Sequence, residues 1–172
     1  AVSQKPIWKD KLVVELGTGS GIMACLFSLA GSRKVLAFDI NPDALANTEE
    51  NASRLGLTNV ETRLSNALEA LEPNEKPDII YCDPPFSTFR EPKNDLEKAF
   101  FDTKLEVVRS LLETLESDER LSQTKVLLCL SSLANANEQQ IFSEFKVEVK
   151  PFLTTTTPWA SFTLWEIVKK RF

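Results

Sequence analysis

The sequence predicts an α/β fold in which a mostly parallel seven-stranded sheet ends in an antiparallel strand. Three observations support this: short apolar runs alternate with helical stretches, glycines follow the first run, and two final strand-like runs have no helix between them. The 172 residues, 42% hydrophobic and 26% charged, suffice for one domain with a buried core. We therefore expect a lead-in segment at 1–11 and a single domain at 12–172.

The first half of the chain alternates between strand and helix patterns. In order, the predicted elements are strand 13–16, helix 22–30, strand 35–39, a helix from Pro42 to Gly56 and strand 60–64. The stretch 22–30 is apolar nearly all round, which is typical of a helix buried against a sheet, and Gly31 is a suitable C-cap. Asn41 and Pro42 indicate a helix start, because Asn caps free N–H groups and Pro fits the first helical position.

The second half contains more strands and one long predicted helix. In order, the predicted elements are strand 78–82, a loop to about 95, a helix from Leu96 onward, strand 126–130, helix 135–145, strand 145–152, a turn at 154–158 and strand 160–168. The long helix is predicted because Phe101, Leu105, Val108, Leu112 and Leu115 recur at helical spacing. The preceding loop lacks periodicity, so we expect it to be mobile. The last two strands should be antiparallel neighbours.

A glycine-rich loop follows the first strand and is the first candidate site. Gly17, Gly19 and Gly21 occupy every second position after Glu15, so backbone N–H groups and a helix start can approach a ligand closely. A dinucleotide fingerprint would need glycine where the chain has Ile22, and no Gly-Lys-Ser/Thr forms a phosphate loop. Asp39 lies 22 residues beyond the first glycine. In α/β nucleoside sites, an acid at about this spacing accepts hydrogen bonds from ribose hydroxyls. The alternative is an ordinary Asn-Pro turn.

The fourth strand ends in a second motif, Asp83-Pro84-Pro85-Phe86. A carboxylate followed by two prolines presents hydrogen-bond acceptors on a rigid backbone, because proline fixes φ. The motif also stands where an open α/β sheet binds ligands, beyond the carboxyl ends of its strands. The alternative is a plain proline-rich turn.

These two motifs resemble those of class I S-adenosylmethionine-dependent methyltransferases. The loop is similar to their first motif, and Asp83-Pro84-Pro85-Phe86 resembles the Asp/Asn-Pro-Pro-Tyr/Phe motif of members that methylate planar nitrogens. The resemblance implies a Rossmann-like sheet with helices on both faces and S-adenosylmethionine as cofactor. It implies cofactor contacts at Glu15, Gly17, Thr18, Gly19, Gly21, Asp39, Ile40, Asn66, Ala67 and Asp83, and a catalytic set of Asp83, Pro84, Pro85 and Phe86.

The chemistry of such an enzyme is mainly alignment. The lone pair of a planar nitrogen is conjugated, so the nitrogen is a poor nucleophile. The Asp83 carboxylate and the Pro84 carbonyl can accept its N–H bonds, which orients the lone pair and stabilises the developing charge. Phe86 would stack on the planar group. Asn66, which follows the third strand, matches the position that contacts adenine, although it could equally be a helix cap.

Several acceptors fit this chemistry. The sequence slightly favours an exocyclic amino group of a base in RNA, with DNA less favoured, because Asp rather than Asn begins the motif. The net charge of −5 instead favours a protein glutamine. A recognition domain or partner subunit could assist. The third hypothesis is a non-catalytic subunit that binds cofactor or a partner.

Composition excludes some chemistry and predicts the environment. The chain has no histidine, so Ser-His and Cys-His catalysis and histidine-ligated metal sites are excluded, and we expect no metal. Cys25, Cys82 and Cys129 stand in apolar surroundings, which predicts buried thiols in a reducing compartment. With no long apolar run or leader, we expect a soluble cytoplasmic protein.

Overall fold

The computed structural model describes residues 7–85, 87–94, 97–134 and 137–170. Its strands are β1 (Leu12–Leu16), β2 (Lys34–Asp39), β3 (Val60–Leu64), β4 (Ile79–Cys82), β5 (Lys125–Ser131), β6 (Val147–Thr156) and β7 (Ser161–Lys169). Its α-helices are α1 (Ile22–Leu29), α2 (Pro42–Arg54), α3 (Glu106–Ser117) and α4 (Glu138–Ser143). The described helices include none with the length and apolar character that a membrane crossing requires.

The strands form a seven-stranded sheet in the order β3-β2-β1-β4-β5-β7-β6. β2 is parallel to both β1 and β3, whereas β7 is antiparallel to both β5 and β6. The predicted fold class is therefore confirmed, including the antiparallel pair at the end of the chain. The chain divides into two compact units, one up to Tyr81 and one from Cys82 onward, and each is described separately.

In the first unit, the register of the strands places the candidate loop. All five residues of β1 are buried, and Leu16 pairs with Phe38, so β1 and β2 end level with each other. The Gly17 N–H then donates to the Phe38 carbonyl over 2.8 Å. Consequently the glycine loop after β1 and the acid at the end of β2 begin at the same edge of the sheet.

The two helices of this unit differ in how well the sequence predicts them. α2 begins as expected, because the Asn41 side chain accepts the Asp43 N–H at 3.0 Å and Pro42 is the first helical residue. α1 is not buried all round, since Ile22, Leu26 and Leu29 are between 50% and 65% exposed. Only one face of α1 is buried, and the exposed three recur at helical spacing on another.

Arg63 of β3 anchors the segment that leads from β3 towards β4. Its guanidinium donates to the Ala70 carbonyl at 2.9 Å and to both oxygens of Glu75 at 2.7 and 2.8 Å. The hydrogen bonds from Arg63 lower the pKa of the Glu75 carboxyl. These contacts fix the segment that carries Asn66, one of the predicted site residues.

The second unit corrects three predictions. α3 begins at Glu106 rather than near Leu96, because Leu105 has a left-handed φ of +53° and Asp102 accepts the N–H groups of Glu106 and Val107. α4 is shorter than predicted, although positions 135 and 136 lie outside the described residues. β6 continues through the threonines at 154–156, where a turn was expected, and the turn lies at 157–160.

We predict that Arg63→Met lowers the free energy of unfolding by about 3 kcal/mol, because the largely buried Glu75 carboxylate loses its partner. A lowered folded-state pKa stabilises the fold above the ordinary value of 4.5, and this contribution is lost as the pH falls through the folded value. The variant should therefore lose less stability on acidification than the wild type. Urea unfolding at neutral and acid pH measures both effects.

Arg54→Met is the matched control, because Arg54 forms an exposed pair with Glu50. Its loss should stay below about 0.5 kcal/mol. Equal losses in both variants would contradict the anchoring role of Arg63.

Candidate active site

The glycine loop in the first unit leaves an open cradle. The N–H groups of Gly17 and Thr18 both donate to the Phe38 carbonyl, at 2.8 and 3.1 Å, which folds the loop across the end of β2. Gly17 and Gly19 have left-handed φ values of +73° and +56°, and a Cβ at either position would meet no protein atom within 4 Å. The loop can therefore admit a ligand at these two glycines without displacing protein atoms.

Gly21 has a different role from the other two glycines. A Cβ on Gly21 would lie 2.7 Å from the Thr48 side chain and 2.9 Å from its Cα. Glycine is therefore required here because the start of α1 passes close to the backbone of α2. The predicted cofactor contact at Gly21 remains a prediction, whereas its packing against Thr48 is observed.

Asp39 connects the cradle to the start of α2. Its Oδ2 accepts the Gly19 N–H at 3.0 Å, and its Oδ1 accepts the Asn41 N–H at 2.9 Å. The residue is half-buried, and a carboxylate oxygen can accept two hydrogen bonds. Asp39 thus has the acceptor capacity to hold ribose hydroxyls while it positions the loop.

Two residues of α2 support the loop and were missed by the sequence reasoning. The Asn51 amide donates to the Ser20 carbonyl at 2.8 Å, and the Thr48 hydroxyl lies 3.5 Å from the Gly19 carbonyl. Thr18 contacts the same hydroxyl at 3.3 Å and donates to buried Glu15 at 2.7 Å. A usable signal was present, since Ala44, Thr48 and Ala52 repeat every four residues as small buried side chains.

The segment after β3 lies beside Asp39. The Ser65 N–H donates to the Asp39 carbonyl at 2.9 Å, and the Ser65 hydroxyl donates to the carbonyl of Ala67, whose φ is +47°. Asn66 is exposed between them, and its amide donates to Glu69 at 3.2 Å rather than capping a helix. Ile40, next to Asp39, is 53% exposed and offers an apolar surface.

These residues fit a nucleoside ligand. The open cradle admits close approach, Asp39 can accept from ribose hydroxyls, and Ile40 and Asn66 offer apolar and polar surface for a base. The structure therefore brings together five of the predicted cofactor residues in the first unit, namely Gly17, Gly19, Asp39, Ile40 and Asn66. Among the described residues, no group of three or more Cys, Asp or Glu side chains is arranged to hold a metal ion.

In the second unit, Asp83 follows the end of β4, begins the segment Asp83-Pro84-Pro85 and contacts Cys129 of β5. Pro84 is buried and Pro85 half-buried, whereas the Asp83 side chain reaches solvent; Phe86 lies outside the described residues. Partial loss of water raises the pKa of the Asp83 carboxyl, and a hydrogen bond from the Cys129 thiol lowers it, with desolvation the larger effect. Desolvation also raises the pKa of Cys129 to about 12, so this thiol stays protonated and can donate.

One of the three cysteines is less buried than predicted, and the loop after the motif contacts a later segment of the chain. Cys25 and Cys82 are buried as predicted, but Cys129 is only half-buried. At the start of the loop predicted to be mobile, Ser87 exchanges backbone hydrogen bonds with Phe100 and Asp102 at 3.0 Å each. Further along, the Arg90 guanidinium lies 3.8 Å from the ring centre of Phe101.

The chain is similar to known methyltransferases in sequence and in fold. The family described as "Methyltransferase domain" matches residues 7–150. A release factor glutamine methyltransferase of Koribacter versatilis is 43% identical over 75 residues, which cover 43% of this chain and only 26% of the relative. A crystal structure of a ribosomal protein L11 methylase from Lactobacillus delbrueckii subsp. bulgaricus has a TM-score of 0.70 at 22% identity, covering 96% of this chain and 73% of its own.

Another similar structure contains a relevant ligand. Mycoplasma capricolum TrmK, in complex with the cofactor product S-adenosylhomocysteine, has a TM-score of 0.67 at 16% identity. The match covers 96% of this chain and 65% of that one.

We expect Asp39→Ala to weaken binding of S-adenosylhomocysteine by roughly 2 to 4 kcal/mol, because two charge-assisted hydrogen bonds to the ribose are lost. Calorimetric titration measures the change in affinity. Circular dichroism reports whether loss of the Asp39 hydrogen bonds to Gly19 and Asn41 disturbs the secondary structure. Asp43→Ala removes the same charge from the first turn of α2 and should bind as the wild type does. Unchanged affinity in Asp39→Ala would move the nucleoside elsewhere.

The glycines allow a second test in which binding and stability separate. Gly19→Ala should reduce ligand affinity strongly while costing only about 1 kcal/mol of stability, the strain of a left-handed alanine. Gly21→Ala should chiefly destabilise the fold, because its Cβ meets backbone atoms of α2. Thermal denaturation with and without S-adenosylhomocysteine distinguishes the two; the reverse pattern would refute these assignments.

Proposed function

Because the chain belongs to the methyltransferase domain family, we propose that it methylates a planar nitrogen in a polypeptide, with the glutamine side-chain amide as acceptor. The identity with a release factor glutamine methyltransferase and the net charge of −5 support a protein acceptor. This reverses the preference for an RNA base that the sequence alone gave.

S-adenosylmethionine is the methyl donor in this proposal. The S-adenosylhomocysteine held by a similar fold, and the fit of the first-unit residues to a nucleoside, support it. Gly17, Gly19, Asp39 and Asn66 would hold the cofactor, which when bound supplies an electrophilic methyl group on a sulfonium sulfur.

One observation carries the assignment to a planar nitrogen: a solvent-reaching carboxylate on a rigid di-proline segment. Asp83 can accept an N–H of the acceptor amide, and the Pro84 carbonyl belongs to the same rigid backbone. With its N–H groups held, the nitrogen lone pair is left free to attack an electrophile, and the developing positive charge is stabilised. Burial of Pro84 and the fixed φ of both prolines support a pre-set orientation of these acceptors in this proposal.

Asp83 would also accept the proton that leaves the acceptor nitrogen. When a primary amide gains a methyl group, one N–H proton must leave to restore a neutral product. A carboxylate whose pKa is raised by desolvation is a better proton acceptor than an ordinary aspartate. The same residue therefore orients the nitrogen and receives its proton.

The second candidate is an exocyclic amino group of an RNA base. Asp83 itself favours it, because a carboxylate rather than an amide begins the motif. The chemistry at nitrogen is the same, so the two candidates differ in what binds around Asp83.

Asp83→Ala should retain most cofactor affinity but lose roughly 10²- to 10⁴-fold in methyl transfer, because an oriented group is removed from the transition state. Asp83→Asn should lose less, since its amide oxygen still accepts a hydrogen bond. Transfer from labelled S-adenosylmethionine to separate protein and RNA fractions measures the effect and identifies the acceptor. Full activity of Asp83→Ala would make the motif a simple turn.

The rate should also depend on pH through the Cys129 hydrogen bond. If Asp83 must be ionised, activity falls as the pH drops through its pKa, which desolvation raises above the ordinary 3.8. Cys129→Ala removes a donor that stabilises the charged form, so the acid limb of the profile should move to higher pH. Cys129→Ser keeps a hydrogen-bond donor and should return the acid limb to its wild-type position. If the acid limb does not move in Cys129→Ala, the hydrogen bond to Asp83 does not control the rate.

A further inference from the structure

A groove of about 670 Å³ lies in the second unit, lined by the beginning of α3 and by α4. Thr88 and Ala134, which follow β4 and β5, complete its lining. The Thr88 hydroxyl donates to the Ala134 carbonyl, which joins these two segments. Thr88 lies five residues after Asp83 in the chain, so the groove lining begins shortly after the proposed acceptor-binding carboxylate in the sequence.

The charged side chains of the groove are balanced. Arg109 of α3 pairs with Glu144, with 2.5 Å between Nη1 and Oε2, and the Lys104 ammonium lies 3.9 Å from the Glu106 carboxylate. A nucleic-acid backbone is bound by cations that neutralise its phosphates, and here each cation already has a carboxylate partner. The balanced lining, with hydroxyl and amide groups such as Gln140, suits the neutral amide backbone of a polypeptide.

Two large apolar side chains are exposed on residues adjacent in the chain to groove-lining residues. Phe89 follows Thr88 and is 77% exposed, and Leu133 precedes Ala134 and is 47% exposed. The Phe89 ring is held nearly perpendicular to Phe101, with 5.3 Å between the ring centres. Exposed apolar residues beside a concave polar surface are typical of a binding surface for a macromolecule.

We propose that this groove binds the acceptor polypeptide as an extended segment whose apolar side chains contact Phe89 and Leu133. The inference rests on the proposed function, because it extends the acceptor class from a planar nitrogen to the peptide around it. The polypeptide is chosen over RNA because the groove offers apolar anchors and paired charges rather than free cations.

Equilibrium binding of three fluorescent probes tests the proposal. They are a short peptide with a central glutamine flanked by leucine and valine, the same peptide with serine at the flanking positions, and a short single-stranded RNA of mixed sequence. At physiological salt the apolar peptide should bind at least about tenfold more tightly than the other two. Phe89→Ser and Leu133→Ser should each weaken its binding about tenfold, the effect of partly losing one apolar contact.

Leu153→Ser is the matched control, because Leu153 is 61% exposed on β6 and does not line the groove. It should leave peptide binding unchanged, and all three variants should bind S-adenosylhomocysteine as the wild type does. Equal affinity for the two peptides, an equal loss in Leu153→Ser, or tighter binding of the RNA would overturn the proposal.

Methyl transfer distinguishes failure of this inference from failure of the proposed function. If Asp83→Ala stays fully active while the groove variants lose peptide affinity, the role of Asp83 is wrong and the groove stands. If Asp83→Ala loses methyl-transfer activity while the Phe89 and Leu133 variants keep the wild-type affinity for the peptide, the groove assignment is wrong and the role of Asp83 stands.

Discussion

The site in the first unit depends on the two backbone N–H groups that the Asp39 carboxylate accepts. One oxygen holds Gly19 and the other holds Asn41, so a single side chain fixes both the glycine loop and the start of α2. The loop needs such an external acceptor, because glycines in left-handed conformations have no side chains with which to hold themselves. Hydrogen bonds from the loop to the carboxylate at the end of the neighbouring strand therefore offset the conformational entropy lost when this flexible backbone is ordered. Asp39 therefore links the order of the glycine loop to the start of α2.

Much of this arrangement could be predicted from local patterns. The buried strands β1 and β2 are continuous apolar runs, and Asn41 with Pro42 is a strong signal for a helix start. Strands that end level at one sheet edge bring their following residues together, so Gly17 and Asp39 could be paired before any coordinates were known. The order of the predicted elements likewise fixed the antiparallel end of the sheet.

The errors share a physical cause, since each depends on contacts between distant residues. Phe101 and Leu105 have helical spacing in the sequence but precede α3. Asp102 caps the helix, and Leu105 adopts a left-handed conformation. Nothing in a periodic pattern reveals a residue with positive φ. Thr48 acts on a loop about 30 residues earlier in the chain, and Cys129 reaches Asp83 from another strand. Such partners become visible only when strands and helices are assembled.

The acceptor is not determined by Asp83 alone. A carboxylate that accepts an N–H bond can orient either a side-chain amide or the amino group of a base, because both nitrogens are planar and conjugated. Net charge does not decide either, since an acidic chain can carry a local basic surface. What distinguishes the two is the surface that each would contact. In the groove lined by α3 and α4, Arg109 is paired with Glu144, and Phe89, which follows the lining residue Thr88, exposes an apolar ring. A phosphate backbone would have to break such an ion pair to gain one of its own, whereas a polypeptide can leave it intact.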